Sequence, residues 1–275
     1  MTQTSDFDIE AIISVAHQAG QLVLTMRREG LRNIQSKSTV IDLVTEADLA
    51  SEAFLRTELG RLYPHIGFWG EESNQRPQTA QFWVVDPIDG TVNYANGIAF
   101  YAVNIGLQGA DGGLLGVTVE PATGRIYWTG RGQGAFVREA DGRQVRLTTN
   151  AVAQLNRALL TTGFPYHRSA IADNNTAEFR HFIDHSQGVR CMGAAALDLA
   201  HVASGALAGY WEAALKPWDA VPGVLLVREA GGRVTDYAGQ EWQLDSPTLV
   251  ASNGNAALHH AMLEVIAQAR APFRP

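Results

Sequence analysis

The stretch that decides the reading is Phe82-Trp-Val-Val-Asp-Pro-Ile-Asp-Gly-Thr91. Its first four residues are apolar and rich in β-formers, which predicts a buried strand that Pro87 should halt and turn. Asp86 and Asp89, three positions apart around that turn, can then aim at one point. Gly90 has no side chain, so the backbone can approach a ligand there and its N–H can face a phosphate. Thr91 stands where a helix can begin, with a hydroxyl free to hold a water. Two carboxylates, the carbonyl of Ile88 and an exposed N–H cradle make a site for a hard cation and a phosphate. Taken alone, an Asp-Pro…Asp-Gly run serves equally well as a solvated turn.

Two rival uses of paired aspartates fail here. One phosphatase chemistry places its carboxylates two apart, the first attacking phosphorus; the spacing here is three, with Pro87 between. A calcium loop needs a regular alternation of oxygen ligands and a distal Glu, both missing.

Two more acidic elements add to the stretch. Gly70-Glu-Glu-Ser73 follows a short strand around Gly67–Trp69. Neighbours on an extended backbone point apart, so one of Glu71 and Glu72 can ligate a metal while the other supports it. Trp218-Asp219 follows Lys216-Pro217 and should open a helix with Asp219 as its N-cap. Singly these are a surface turn and a cap; the set carries the information. Oxygen donors without a His/Cys cluster select Mg²⁺ or Mn²⁺ over zinc. An acidic protein also needs bound cations to hold an anionic phosphate.

The chain has 275 residues, 46% of them apolar and 18% charged, and a net charge of −7. That composition predicts a globular protein with a real core and argues against nucleic acid or an anionic membrane as partner. Cys191 is the single cysteine, so no intrachain disulfide is possible. With no apolar run long enough to span a bilayer and no secretory signal pattern, a cytoplasmic protein is expected.

Ile9, Ile12, Ile13, Ala16, Ala19, Val23 and Met26 recur at helical spacing between an Asp6 or Asp8 cap and Gly30. Thr45-x-x-Asp48 predicts a capping box opening a second helix to about Leu59. From Ala99 to Leu147 the turn signals predict an antiparallel meander. After Asn150, strands are expected at Leu159–Thr162, Gly209–Glu212, Arg233–Asp236 and Leu249–Ser252. Helices are expected at Asn174–Asp184, Ala194–Ser204, Asp219–Glu229 and Asn255–Gln268. This predicts a mixed α/β sandwich with an N-terminal lobe over 1–150 and a C-terminal lobe over 151–275, packed as one unit.

Asp86-Pro-Ile-Asp-Gly-Thr91 with Asn93-Tyr94, Gly70-Glu-Glu-Ser73, Trp218-Asp219 with Gly223, and Asp42-Leu-Val-Thr-Glu-Ala-Asp48 resemble the motifs of the inositol monophosphatase family, in order and spacing, from about Lys37 to Gly232. The resemblance implies the layered αβαβα sandwich of the inositol monophosphatase and fructose-bisphosphatase type, a homodimer, and inhibition by Li⁺. It implies two to three Mg²⁺ ions, with Mn²⁺ as a substitute. Glu71, Asp86 and the Ile88 carbonyl would hold the first; Asp86, Asp89 and Asp219 the second; a third would lie near Glu71. Glu72 and Lys37 would support them, and Asp48 and Thr91 would orient the attacking water. The N–H groups of Gly90 and Thr91 would grip the phosphate, while Asp89, Glu212, Asp219 and the segment Gly193–Ala195 would face substrate hydroxyls. Gly193-Ala194-Ala195 departs from the family's usual Gly-Ser/Thr-Ala and loses a hydroxyl beside the substrate.

The implied reaction is hydrolysis of a phosphate monoester by a metal-activated water, with myo-inositol monophosphate as the leading substrate. The alternatives are a sugar, histidinol or nucleotide phosphatase of the same superfamily, and a partner of the transcription machinery. Gly130-x-Gly132-x-Gly134 lies outside a strand–helix junction and is no dinucleotide fingerprint. His181 and His185 lack the Glu of a zinc-protease motif, and Cys191 reads as a packed thiol.

Overall fold

The structure is a computed structural model and describes residues 7–31, 33–172 and 174–271. Helix α1 (Ile9–Glu29) is capped by Asp8, which accepts from Ala11 N at 3.1 Å, and it buries Ile12, Ile13, Ala16, Ala19 and Val23 on one face. Strands β1 (Ile34–Ser36) and β2 (Leu43–Thr45) form an antiparallel ribbon leading into α2 (Glu46–Leu62). The expected capping box is present: Thr45 is the N-cap, and Asp48 Oδ2 accepts from Thr45 N at 2.7 Å.

A seven-stranded sheet follows in chain order: β3 (Gly67–Gly70), β4 (Phe82–Asp89), β5 (Ala102–Gly109), β6 (Gly112–Glu120), β7 (Arg125–Gly130), β8 (Gly134–Arg138) and β9 (Gln144–Arg146). Helix α3 (Thr91–Asn96) lies between β4 and β5. Strands β5 to β9 are the expected meander. Pro87 does not halt the preceding strand, however. Pairing with β5 runs through Asp86↔Asn104, breaks register, and resumes at Asp89↔Ala102. Lacking an N–H, Pro87 falls in that irregularity and bends the strand instead of ending it.

The second sheet has the order β11-β10-β12-β14-β13, built from β10 (Leu159–Thr162), β11 (Gly188–Arg190), β12 (Gly209–Ala213), β13 (Arg233–Thr235) and β14 (Thr248–Ser252). Its helices are α4 (Thr176–His185), α5 (Ala195–Ala203), α6 (Pro217–Glu229) and α7 (Ala256–Ala269). β1, β2 and β11 were not foreseen; each is three residues long with no alternating buried face.

Three apolar clusters cement the layers. Ile12, Leu55 and Ile105 join α1 and α2 to the first sheet. Val84, Leu197, Val221 and Leu249 join both sheets through α5 and α6. Phe182, Trp211 and Leu258 join the second sheet to α4 and α7. The result is the αβαβα sandwich.

Helix α6 starts earlier than expected. Pro217 takes its first position, where a missing N–H costs nothing, so Lys216 and not Asp219 is the N-cap. Asp219 sits at the third position and accepts from Lys216 N at 2.7 Å. Pro222 consequently lies in the second turn.

Candidate active site

Strand ends from both sheets open on a cavity of about 740 Å³ whose wall includes Lys37, Glu71, Asp86, Ile88, Asp89, Gly90, Thr91, Gly193, Ala195, Glu212 and Asp219. Of the residues singled out from sequence, Asp48 and Glu72 stand just behind this wall. Asp86 and Asp89 leave the bent end of β4, and Asp219 comes from the first turn of α6. One oxygen from each lies within 4.8 Å of the others. Asp86 is 2% exposed and Asp89 8%.

Three carboxylates so close and so dry resist ionisation together. Burial, then Glu71, Asp89 and Asp219, push Asp86 well above the usual carboxylate range. Burial and Asp219 do the same to Asp89, and burial with Glu71 pushes Asp219 up to about 7. A divalent cation would relieve that repulsion, and the donors are all oxygen, so the residues fit Mg²⁺ or Mn²⁺.

Glu71 follows β3 and faces the same cavity, but its carboxylate is engaged by Lys37, whose Nζ lies 2.7 Å from Glu71 and 2.6 Å from Glu72. Burial works to lower the Lys37 pKa, but the two glutamates more than offset it and hold the ammonium above its ordinary value. Glu72 shares Lys37 with Glu71 and gives its backbone N–H to Glu52 at 2.8 Å.

Gly90 adopts a left-handed conformation (φ 87°) between β4 and α3, and a side chain there would press on the Gly193 carbonyl at 3.0 Å. That turn leaves the Gly90 and Thr91 N–H groups at the open start of α3. Thr91 Oγ1 lies 2.9 Å from the Ile88 carbonyl and 3.2 Å from Asp48 Oδ1. Burial raises Asp48 to about 6 against the opposing hydrogen bonds from Thr45.

The far wall comes from the second sheet. Asp89 Oδ2 accepts from Ala196 N at 2.7 Å, so a carboxylate of the first sheet caps α5, whose own N-cap, Ala194, offers no side-chain bond. Glu212 Oε2 accepts from Tyr210 OH at 2.5 Å, and burial pushes its carboxyl up to about 8. Ala214, in the loop from Glu212 to Asp219, is left-handed (φ 65°), a conformation that costs a non-glycine residue about 1–2 kcal/mol.

Sequence reasoning quoted Asn93 within a motif without giving it a role, and missed Asp198 and Tyr166. Asn93 Nδ2 donates to Phe100 O at 2.8 Å and to Met192 O at 2.7 Å, tying α3 to the segment before Gly193. Asp198 lines the cavity with Thr161 Oγ1 at 3.1 Å. Tyr166 stands at the mouth, where burial and then Asp219 and Asp89 raise its phenol. For Asp198 and Tyr166 the only advance signal was polarity within an apolar or turn segment. Cys191 is exposed on the cavity wall, not packed, two residues before the left-handed backbone of Gly193. The rings of His181 and His185 each face a backbone carbonyl one helical turn earlier, not a shared point. The glycines 132 and 134 donate their N–H groups to the Glu229 carboxylate.

Comparison with known proteins agrees with this fold. The profile of the inositol monophosphatase family matches residues 5–271. An inositol-1-monophosphatase of Rhizobium meliloti is 39% identical over 228 residues, covering 82% of this chain and 83% of the relative. A protein of Pseudomonas aeruginosa named Nus factor SuhB is 34% identical, covering 92% and 93%. Among solved structures, the inositol monophosphatase of Anabaena superposes with a TM-score of 0.82 at 34% identity, over 94% of each chain. The extragenic suppressor protein suhB of Bartonella henselae superposes at 0.83 with 31% identity, over 94% and 97%. From fold, motif order and likeness along its length, the chain belongs to the inositol monophosphatase family.

Proposed function

We propose that this chain hydrolyses phosphate monoesters, with myo-inositol monophosphate as the leading substrate and Mg²⁺ as the cofactor. The observation that carries the reading is the convergence of Asp86, Asp89 and Asp219 beside the Thr91–Asp48 pair on the wall of one cavity. Divalent cations supply the acidity that lets a water lose a proton near neutral pH, and the charge that a phosphate dianion needs.

The chain's own residues do the rest. Glu71, Asp86, Asp89, Asp219 and the Ile88 carbonyl would hold two to three ions. The Gly90 and Thr91 N–H groups bind phosphate oxygens at the start of α3, and α3 is held to the opposite wall by Asn93. Thr91 accepts a hydrogen bond from the attacking water while passing its own proton toward Asp48. Glu212, with Asp89 and the backbone of Gly193–Ala195, receives the substrate hydroxyls and orients the leaving alcohol.

The same reading includes inhibition by Li⁺ and a homodimer. The net charge of −7 speaks against nucleic acid as a direct ligand. No helix among the described residues is long and apolar enough to cross a membrane. A single cysteine and no disulfide suit a cytoplasmic setting. Relatives named as Nus factors favour a second reading, a binding role in transcription, which complete retention of the acidic site does not require.

Phosphate release measured over a panel of monoesters, with Mg²⁺ and after chelation, tests the proposal. Turnover of inositol phosphates that EDTA abolishes and Mg²⁺ restores is expected. Full turnover after exhaustive chelation, or none on any monoester, overturns it.

A further inference from the structure

Pro222 in the second turn of α6 leaves one carbonyl without its helical donor, that of Trp218 four residues earlier. The replacement comes from the first sheet. Asn104, fully buried on β5, donates Nδ2 to Trp218 O at 2.7 Å. A carbonyl only accepts, so the amide must turn its nitrogen to Trp218 and its oxygen the other way. There it meets Thr118 on β6, whose Oγ1 donates to Asn104 Oδ1 at 2.6 Å. The orientation of the amide is thereby set from both sides.

What this amide joins is specific. Asn104 is the cross-strand partner of Asp86 on β4 and of Thr118 on β6. The carbonyl it grips belongs to the peptide unit that carries Asp219. One neutral side chain therefore links β5, the strand paired with the one that bears Asp86, to the peptide that bears Asp219. The helix is also seated as low as it can go: a side chain on Gly116 would lie 2.9 Å from the Pro222 backbone, and one on Gly106 3.1 Å from its ring. When ionised, Asp86, Asp89 and Asp219, with one oxygen of each within 4.8 Å of the others, repel and push the other way, tending to lift the first turn of α6 from the sheet.

We infer that Asn104 is a positioning residue for the cation site: its amide, oriented by Thr118, holds the Trp218–Asp219 peptide to β5, directly beside Asp86 on the paired strand, so that the carboxylates converge before a cation arrives. This rests on the metal reading above. Asn104 touches neither cation nor substrate; it acts through Asp219.

The test is calorimetric titration of the full chain with Mn²⁺, together with thermal unfolding in EDTA and the Mg²⁺ dependence of kcat. Asn104→Asp keeps the shape but replaces the donor with an acceptor, and Thr118→Val removes the proton that orients the amide. Asn104→Asp is expected to weaken Mn²⁺ about 10- to 100-fold, the range seen when groups behind metal ligands are lost. Thr118→Val should shift affinity the same way by less. In both, more Mg²⁺ should recover most of kcat, while KM for substrate stays near that of the unaltered protein. Should Asn104→Asp fail to fold, the milder Thr118→Val decides. Variants that unfold earlier in EDTA yet bind Mn²⁺ with unaltered affinity would make Asn104 a core residue only, and the inference fails. If the unaltered protein itself binds no Mn²⁺, the metal reading falls, and this inference with it.

Discussion

Thr91 Oγ1 lies between the Ile88 carbonyl, at 2.9 Å, and Asp48 Oδ1, at 3.2 Å, and its single proton can serve only one of them at a time. The opposite oxygen of Asp48 takes Thr45 N and Thr45 Oγ1 at 2.7 and 2.6 Å. Asp48 thus fixes the start of α2 and faces Thr91 with its other edge.

If the pair activates water, Thr91→Val should lower kcat by about 10²–10⁴, the usual loss when positioned proton transfer is removed. Asp48→Asn should cost a similar factor, and the double variant little more, because the two act as a unit. Asp48→Asn also weakens the capping box, so rates are compared per folded protein. With Asp48 raised to about 6, kcat should decline as pH falls through that value. Losses that multiply, or near-normal turnover by Thr91→Val, defeat the assignment.

The acidic cluster predicts how cation binding responds to pH. In the metal-free protein Asp86, Asp89 and Asp219 keep protons that the unfolded chain has already lost above pH ~4. The folded state then binds more protons than the unfolded one, so this contribution to stability falls as pH rises, for Asp219 through about 7. Mg²⁺ takes the deprotonated form. The difference in Tm between Mg²⁺ and EDTA should therefore widen from pH 5.5 to pH 8, and binding should release protons, seen as a buffer-dependent enthalpy. An equal Tm difference at both pH values would show that the carboxylates are not the cation ligands.

Much of this site was legible because its chemistry comes in short runs. Asp86, Ile88, Asp89, Gly90 and Thr91 are nearly adjacent, and one strand and one turn bring them together whatever surrounds them. Asn104 was not legible. It is one polar residue in an apolar strand, and its partner Trp218 is 114 positions away. The boundaries around Pro87 and Pro217 were misread for a related reason. A proline removes a donor, but at Pro217, the first helical position, that donor had no partner to lose, and at Pro87 the pairing with β5 breaks register and resumes beyond it. The uncapped start of α5 was visible as Ala194, yet its cap, Asp89, comes from the other sheet.

That substitute cap makes a stability prediction. Asp89 serves the Ala196 N–H of α5, while Ala194 leaves the N-cap position without an oxygen. Ala194→Ser should stabilise the protein by about 1 kcal/mol, the usual worth of an N-cap hydroxyl, or a few degrees in Tm. Ala194 is 2% exposed and packs close to Gly90. A lowered Tm would mean that the cavity wall has no room for the oxygen and that its smallness is itself required.

Glu212 offers the clearest separation of recognition from chemistry. Tyr210 and Glu212, two apart on β12, share one face of the strand, and the phenol holds the carboxyl at 2.5 Å. Any side chain on Gly163 would collide with that carboxyl, so it has a backbone floor beneath it. If it receives substrate hydroxyls, Glu212→Ala should cut kcat/KM for an inositol phosphate about 10- to 100-fold, the worth of a strong hydrogen bond. A bare aryl phosphate, with no hydroxyls to offer, should lose much less. Since burial raises Glu212 to about 8, its carboxyl is largely protonated at pH 7, and Glu212→Gln should retain more activity there than Glu212→Ala. Tyr210→Phe frees the carboxyl to rotate and should show a smaller loss with the same substrate bias. Equal losses on both substrates would place Glu212 among the supports of the metal site and leave substrate choice to the backbone of Gly193–Ala195.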